Sequence, residues 1–544
     1  MSRTVRPDLG RSPSRWVMRR RAFLQAAGGG LGLALGRRYL AGDADAAGPA
    51  AGGATLVVGA NLLIKSLDPG QGIEPYAEMV NHATYDSLVT FDGEDLKNAK
   101  PSLAQNWQIS DGGKTYTFTL RPNVKFVSGN ALTSADVKWS FDRIKRLKLL
   151  SSFMLAGVEE IQTPAPQTVV LRLAASNPAI IPILSSPSLG VLDSKTVLAN
   201  GGDDAEKYLN AHSAGTGAFV LDTYVPNQQA VLVKNAGHWR GPAALDRIVI
   251  RNILEPASQQ LQVERGDLDI ALDIGPDQVP ALQKAQGVTV KTSLVATAFT
   301  LMMNTNPDIG GAFANPKVQQ AVRYALDYDG ILAIAGPGSV RLPGYIPITL
   351  PGALDLKEAT KTDRTRAAAL LKEGGVSDVK GSLTFGSDSV QDGVKISLLA
   401  QKIQADLSAV GVTLDLNGLP SSVSLQRYRD GKAQLSTSGW VADYPDGSDF
   451  LVYLPGGAAG KRAQWFPNSN PTAQQIATLG DEAMSEPDPR KRVALMQQVQ
   501  RKMLDVCPFV PLLQPALPFA YRSNIQGVTF NSVWAVDFAR VKKT

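Results

Sequence analysis

The chain has 544 residues, of which 44% are hydrophobic and 19% are charged, so it is long enough for a large core and too long for a single one. Its formal net charge of +6 comes entirely from the first 46 residues, which hold nine Arg and three Asp. The remainder is neutral, so the charge gives no support to nucleic-acid binding, which needs a basic face on the folded domain, and the single Cys507 excludes a disulfide framework and a cysteine-based metal site.

The first 46 residues are typical of an export signal. Arg20 and Arg21 open the segment Arg-Arg-Ala-Phe-Leu-Gln, and the uncharged run that follows, residues 26–36, is well short of the ~20 residues that span a bilayer. The pattern departs from the twin-arginine consensus at Arg19 and Gln25, and a disordered basic tail is the alternative. We predict a twin-arginine signal peptide. Because this segment has no cysteine that could carry a lipid, we expect a soluble protein of a Gram-negative periplasm.

The next part of the chain is rich in predicted strands. Residues 56–59 and 168–173 are short apolar runs, and apolar side chains alternate with Thr in residues 115–120, a pattern that favours a strand with one buried face. Between these strands, Thr133 and Asp136 form a capping box, which predicts that a helix begins there.

A second group of strands follows a Gly-Thr-Gly segment at residues 215–217. Residues 219–224 and 230–234 predict a hairpin, and residues 248–253 predict one more strand. An apolar strand is expected over residues 297–304, after which helices and strands alternate more regularly.

Helix signals dominate the second half of the chain. Asn315 caps one predicted helix at Pro316, residues 396–410 form another, and Asp488 begins a long one. The apolar segment 510–513, which has prolines around it, is expected to run back toward the first half.

The segment Gly-Trp-Val-Ala-Asp-Tyr-Pro-Asp at residues 439–446 places two aromatic rings around one carboxylate. Because a proline and a glycine end the segment, we expect a loop that cannot continue a helix or a central strand and whose side chains line a cleft. Trp440 and Tyr444 would supply flat apolar area, and Asp443 would pair with an ammonium group. The alternative is that the two aromatics belong to the core and an aspartate caps a turn.

Five segments, in this order and at these separations, resemble one family, the peptide/nickel-type (family 5) extracellular solute-binding proteins of ABC importers. The resemblance extends over nearly the whole chain after the signal peptide. No one of these short motifs is specific by itself. The segments are residues 85–88 followed by 101–104, residues 111–143, residues 215–217 with 239–245, residues 315–326 and residues 439–446.

The resemblance implies an α/β fold, the two-lobed periplasmic-binding-protein clamp of class II, cluster C, with a two-segment hinge. The first lobe would comprise residues 47–297, with an extra subdomain at 88–208. The second lobe would comprise residues 298–509, and residues 510–544 would return to the first. Such proteins close on a ligand between the lobes and then dock on a membrane permease. We expect a monomer that binds and carries a solute.

The resemblance also suggests which residues contact the ligand. In the peptide-binding branch an aspartate in a motif of this Gly-Trp-x-Ala-Asp-Tyr type pairs with the α-ammonium group, and the matching residue here is Asp443. Trp440 and Tyr444 would line the same wall. Three further candidates for the pocket are Leu67, Thr216 and Gly217; the alternative for Gly217 is a turn that requires a positive φ.

The identity of the ligand stays open at this point. No arginine or lysine for a ligand carboxylate can be assigned from the sequence. A di- or oligopeptide or another amine-bearing compound is the first expectation, and a chelated metal, haem, an opine or an oligosaccharide are the alternatives.

A periplasmic enzyme is the alternative from a different class. The chain has only three His, and it lacks a His-Glu-x-x-His pair, a Gly-x-Ser-x-Gly elbow and a Cys-x-x-Cys pair. Residues 457–462 faintly resemble a phosphate-binding loop, but Arg462 stands where Ser or Thr would hold magnesium, so we interpret them as a solvated loop. We therefore expect neither catalysis, nor a cofactor, nor a directly bound metal.

Overall fold

Two large β-sheets organise residues 53–544, the part of the chain that the computed structural model describes. The predicted signal peptide, with Arg20 and Arg21, lies outside this range. Within residues 53–544, no helix is both long enough and apolar enough to cross a membrane.

The first sheet has seven strands and mixes parallel with antiparallel pairs. Thr55–Ala60 pairs in parallel with Arg247–Asn252 on one side and with Ile270–Ala271 on the other. Helices Pro75–Thr84 and Pro256–Arg265 follow two of these strands. The strands, in sheet order, are Val288–Leu294, Ala516–Arg522, Ile270–Ala271, Thr55–Ala60, Arg247–Asn252, Gln229–Lys234 and Phe219–Val225.

A subdomain with its own core is inserted between strands of the first sheet. Its antiparallel sheet has the order Ala104–Ser110, Thr115–Leu120, Thr168–Leu173 and Val158–Ala165. The alternating pattern predicted a strand with one buried face over residues 115–120, and the structure confirms it. The predicted capping box of Thr133 and Asp136 is also confirmed, and it opens the helix Ser134–Leu147. Further elements are the hairpin Val89–Asp92 and Asp95–Pro101 and the helices Ile180–Ile183, Ser194–Gly201 and Glu206–Leu209.

A buried ion pair attaches the subdomain to the rest of the first sheet's structure. Arg143 of the helix Ser134–Leu147 donates two hydrogen bonds, of 3.0 and 2.6 Å, to the carboxylate of Asp68. Both side chains are fully buried. Removing one partner of such a pair leaves an uncompensated charge in the interior, so the pair holds the helix and the 66–72 segment together.

The second sheet has six strands, whose order is Val340–Arg341, Phe509–Gln514, Thr297–Met303, Leu435–Val441, Lys380–Gly386 and Thr413–Leu419. The predicted caps are confirmed, since the Asn315 side chain accepts from Lys317 N and the Asp488 side chain from Arg490 N. The main helices around the sheet are Pro316–Ala325, Tyr328–Ala335, Arg364–Glu373, Ile396–Ser408, Ser421–Arg429, Ala458–Arg462, Pro471–Ser485 and Pro489–Val506. We term the structure around the first sheet, with the subdomain, the first lobe, and the structure around the second sheet the second lobe.

The chain crosses between the lobes twice, and the two crossings touch. The first crossing lies between Leu294 and Thr297, and the second lies between Gln514 and Ala516. Gln514 Nε2 donates to the carbonyl of Val295 at 2.8 Å, which ties the crossings together.

The predicted return at residue 510 is wrong by a few residues. Phe509–Gln514 is fully buried and pairs with Thr297–Met303 in the second sheet, and only Ala516–Arg522 joins the first sheet. The strand continues past its prolines. A bulge shifts its register with Thr297–Met303, and at a bulge the sheet tolerates a residue that has no N–H group to donate.

Candidate functional site

A cavity of about 470 Å³ opens in the second lobe at the carboxyl ends of its parallel strands. Lys380–Gly386 runs parallel to Thr413–Leu419 and to Leu435–Val441, so these three strands end at one edge of the sheet. In open α/β sheets ligands bind at such an edge. The charged and aromatic residues that line the cavity are Asp443, Arg429, Arg462, Trp440 and Tyr428.

Trp440 reaches the cavity from a strand and not from a loop as predicted. The strand Leu435–Val441 is internal to the second sheet, and only residues from Ala442 onward form the loop. Pro445 does not break the strand because it lies beyond the strand's end. The prediction of a loop over the whole 439–446 segment is therefore wrong for its first three residues.

Asp449 fixes the relation between Trp440 and Asp443. Trp440 Nε1 donates to Asp449 Oδ2 at 3.0 Å, and the backbone N–H of Asp443 donates to the same oxygen at 3.0 Å. Asp449 is buried in the 3-10 helix Gly447–Tyr453 that follows the loop. The indole and the Asp443 backbone are thus held by one carboxylate, an arrangement that the sequence analysis did not identify.

Asp443 offers a carboxylate with unused acceptor capacity. It is half-buried, and among the described residues its side-chain oxygens accept no hydrogen bond and join no ion pair. Burial raises the pKa of Asp443 to about 6. Burial, together with the charge of Asp443, raises the pKa of Asp449 well above its usual range. Two neighbouring carboxylates with raised pKa values favour the approach of a cation.

Asp446, three residues later, has a structural role. Arg492 donates two hydrogen bonds to its carboxylate, at 2.8 and 2.6 Å, and both side chains are buried. Burial alone would raise the pKa of Asp446, but the bonds from Arg492 outweigh it and hold the pKa below its usual value. Asp446 also accepts from Ser448 N at 2.8 Å. The alternative of a turn cap therefore describes Asp446 and not Asp443.

Arg462 is a cationic residue of the cavity wall that no sequence motif indicated. It ends the short helix Ala458–Arg462, and its guanidinium carbon lies 5.1 Å from the centroid of the Tyr428 ring and 5.6 Å from that of Trp440. Arg429 lines the same cavity. Residues 457–462 are therefore not simply a solvated loop. Because 22 residues separate Arg462 from Trp440, no local motif connects them.

Tyr444 and the three candidates from the first lobe lie elsewhere. Tyr444 packs against the core of the subdomain and is not among the residues that line the cavity. Leu67 is buried in the core of the first lobe. Thr216 is also buried, and its hydroxyl donates to Asp86 Oδ2 at 2.7 Å. Among the predicted residues, the structure brings only Trp440 and Asp443 together around this cavity.

Glycine is required at position 217 because two backbone segments approach each other closely there. The alternative interpretation, a turn with a positive φ, does not hold. The φ of Gly217 lies outside the positive range, and a Cβ at this position would lie 2.4 Å from the carbonyl carbon of Thr84. Its N–H donates to the carbonyl of Thr84 at 3.1 Å. Only glycine allows the segment before the strand Phe219–Val225 to come this close to the end of the helix Pro75–Thr84.

A second cavity, of about 870 Å³, lies between the subdomain and the second lobe. Phe91, Leu96 and Ile181 line it on one side, and Leu350 and Pro445 line it on the other. The loop after Val441 therefore separates two spaces, since Asp443 lines the smaller cavity and Pro445 the larger.

A family model described as bacterial extracellular solute-binding proteins, family 5 Middle, matches residues 98–461. The chain belongs to this family. The resemblance inferred from the sequence is confirmed, and so are the two-lobed α/β fold and solute binding as the class of function. The family's ligands differ, so membership alone does not name the solute that this chain binds.

Several relatives match nearly the whole chain. The probable D,D-dipeptide-binding periplasmic protein DdpA of Escherichia coli (strain K12) is 27% identical over 489 residues, 88% of this chain and 91% of the relative. The di/tripeptide-binding protein 2 of Pseudomonas aeruginosa (strain UCBPP-PA14) is 27% identical over 516 residues, 90% of this chain and 94% of the relative. The fold matches that of the ABC transporter-associated periplasmic binding protein DppA from Helicobacter pylori in complex with peptide STSA, with a TM-score of 0.73 and 23% identity over 90% of this chain and 98% of that one.

Proposed function

We propose that this chain is the periplasmic substrate-binding component of an ABC importer and that it captures a small solute with a protonated amine, in the first place a di- or oligopeptide. The observation that carries the proposal is the 470 Å³ cavity that is lined both by Asp443, without an ion-pair partner among the described residues, and by Arg462 and Arg429. Such a cavity offers an anionic and a cationic end to one ligand.

The two ends suit the two ends of a zwitterion. An ammonium group would pair with Asp443, whose backbone is held in place by the hydrogen bond from its N–H to Asp449. A ligand carboxylate would pair with Arg462, a guanidinium that matches carboxylate geometry with two parallel hydrogen bonds. Trp440 lies beside both groups and offers a flat apolar wall. The names of the relatives, which bind dipeptides or tripeptides, support this class of ligand.

The remaining parts of the proposal concern where the protein acts and with what. We infer that the twin-arginine signal exports it to the periplasm, where it acts as a soluble monomer and delivers the solute to the transmembrane subunits of its permease. It binds no nucleic acid, and it carries its ligand without converting it. Turnover of candidate esters or peptides by the purified protein would contradict this last point.

Mass spectrometry of ligand released from the purified, denatured protein tests the proposed ligand class. An amine-reactive reagent is added to half of the released material before it is analysed. We expect a compound of low mass that shifts on labelling and that also carries a carboxyl group. A released compound without a free amine, such as an oligosaccharide, haem or a chelated metal, would contradict the proposal and would make Trp440 a stacking platform instead.

A further inference from the structure

The cavity of about 870 Å³ between the subdomain and the second lobe has the size and the walls of a small-molecule site. Ligand pockets in proteins typically measure roughly 300–1,000 Å³, are mostly apolar and carry a few polar groups. Most of the side chains that line this cavity are apolar, among them Phe91 and Leu96 of the subdomain and Leu354 and Val493 of the second lobe. Six prolines add stiff wall segments without backbone N–H groups, namely Pro178, Pro182, Pro351, Pro445, Pro487 and Pro489.

Side-chain hydrogen bonds hold the second-lobe wall of this cavity in place. Gln497, in the helix Pro489–Val506, donates from Nε2 to the carbonyl of Ala353 at 2.9 Å. Arg492, in the same helix, donates two hydrogen bonds to Asp446, at 2.8 and 2.6 Å. The segment around Ala353 and the loop that carries Asp446 are therefore both fixed to one helix, so this wall is formed before any ligand arrives.

The charged groups of the wall leave two positive charges uncompensated. Apart from the internal ion pair just described, the one carboxylate that lines the cavity is that of Asp355, and it lies 3.5 Å from Lys357 Nζ. Lys97 of the subdomain and Arg490 of the second lobe also line the cavity, and within residues 53–544 neither of them forms an ion pair. Both are exposed, which places them at the rim of the cavity. The rim therefore favours an anion.

Arg492 adds a hydrogen-bond donor for which the described part of the chain has no acceptor. Its two terminal nitrogens bind Asp446, whereas its Nε is buried without a hydrogen-bond partner. The residue lines the cavity and is only 7% exposed. Because buried polar groups are normally hydrogen-bonded, this wall favours a ligand that carries acceptor oxygens.

We propose that this cavity is a second ligand site, which takes a small amphipathic anion, such as an aromatic or medium-chain alkyl carboxylate, with its apolar body among the prolines and leucines and its acidic group toward Lys97 and Arg490. Because these two cations belong to different lobes, the anion would bridge the lobes. The site is separate from the one in the proposed function, since it shares no lining residue with the cavity of Asp443.

Fluorescence titration with 8-anilinonaphthalene-1-sulfonate tests the site, because this probe combines apolar rings with one anionic group and fluoresces in apolar surroundings. We expect saturable binding to the wild type. Val493→Trp fills the cavity with a larger side chain and should weaken binding by about tenfold or more. Gln475→Trp adds the same ring at an exposed position of the second lobe and should bind the probe as the wild type does. Binding that does not saturate, or equal affinity of the wild type and Val493→Trp, would overturn the inference.

Charge reversal tests the anionic end and alters only exposed side chains. Lys97→Glu combined with Arg490→Glu should weaken binding of the probe by roughly tenfold. Binding of N-phenyl-1-naphthylamine, which has the same rings without the sulfonate, should change by less than about twofold. The matched control is Lys100→Glu combined with Lys491→Glu, two exposed lysines that do not line the cavity, and it should bind both probes as the wild type does. If the charge-reversed variant weakens both probes equally, or neither, the inference is wrong.

Competition with L-alanyl-L-alanine separates this site from that of the proposed function. An excess of the dipeptide should leave the bound probe in place, because the two cavities share no lining residue. If the dipeptide does not bind although the probe responds to the variants as predicted, the proposed ligand class fails while the second site stands. If the dipeptide binds and displaces the probe, the probe occupies the cavity of Asp443 and the second site is refuted.

Discussion

At the scale of single residues, three aspartates within one short segment have three different environments. Asp446 is neutralised by Arg492, Asp449 is buried behind Trp440, and Asp443 is half-buried and unpaired in the described part of the chain. Only the last combines access to the cavity with a raised pKa. The same residue type thus serves the fold in two cases and offers a binding group in one.

Asp443→Asn should weaken the binding of an amine ligand by roughly 30-fold to several thousand-fold. Loss of one partner of a desolvated charge pair costs ~2–5 kcal/mol, and ~1.4 kcal/mol corresponds to a factor of ten. Titration calorimetry with the identified ligand measures the effect. Asp430→Asn, at an exposed aspartate that pairs with Lys432, is the control and should not change the affinity. A change of less than about threefold in Asp443→Asn would make Asp443 a structural residue.

Arg462→Gln should weaken the binding of a ligand with a free carboxylate by roughly tenfold to a hundredfold, because a hydrogen bond to a charged group contributes about 1.5–3 kcal/mol. The amide of the same ligand should bind wild type and variant with similar affinity. Lys461→Gln removes an exposed positive charge from the neighbouring residue and should leave both affinities unchanged. If Arg462→Gln affects acid and amide equally, the arginine supports Trp440 and Tyr428 and does not bind the carboxylate.

Residues of the candidate site could be predicted from the sequence where they belong to one short motif. The Gly-Trp-x-Ala-Asp-Tyr segment led to Trp440 and Asp443, and both line the cavity. Arg462 could not be found in this way, because its position beside Trp440 depends on a contact across the fold. Thr216 was misjudged for the same reason, since its partner Asp86 lies 130 residues earlier in the chain.

At the scale of elements, helix starts were predictable and strand ends were not. Asn315, Asp488 and the box of Thr133 with Asp136 each use a side chain to satisfy the first free N–H groups of a helix, which is local chemistry. The end of the strand Leu435–Val441 could not be predicted from the sequence, because its partners Thr297–Met303 and Lys380–Gly386 are distant in sequence. Pairing of this kind outweighs the local signals of Gly and Pro.

Gly217→Ala should destabilise the first lobe by about 1–3 kcal/mol, the usual cost of inserting an atom into a well-packed site. The new Cβ would lie 2.4 Å from the carbonyl carbon of Thr84, so backbone on one side must move. Urea unfolding followed by circular dichroism measures the change. Gly157→Ala, whose Cβ would meet nothing within 4 Å, should change stability by less than about 0.5 kcal/mol. If the two variants had equal free energies of unfolding, the backbone near Thr84 would move at little cost in free energy, and the prediction would be wrong.

At the scale of the whole molecule, two sheets joined by two touching crossings form a clamp. Gln514 ties the second crossing to Val295 of the first, so bending at this point moves one sheet relative to the other. This architecture could be predicted through the resemblance of five sequence segments to the family, and not from the strand and helix signals alone. The position of the second crossing could not be predicted, because Phe509–Gln514 is as apolar as a strand of either lobe.

Export is a property of the whole precursor and has its own prediction. Replacement of Arg20 and Arg21 by Lys should leave the precursor in the cytoplasm, because the pair of arginines is what defines a twin-arginine signal. Cell fractionation followed by immunoblotting measures the distribution. The double substitution Arg3→Ala and Arg6→Ala removes two positive charges from the same segment but keeps the arginine pair, so this control should be exported normally. Normal export of the Lys variant would contradict the assignment of the signal.

The most direct test of the account is a crystal structure of the protein with the ligand that it retains on purification. We predict a ligand between the two lobes whose ammonium nitrogen lies within hydrogen-bonding distance, about 3 Å, of the Asp443 carboxylate, with its carboxylate at Arg462. A complex in which Asp443 contacts no amine of the bound ligand, or in which the ligand lies outside the space between the lobes, would contradict it.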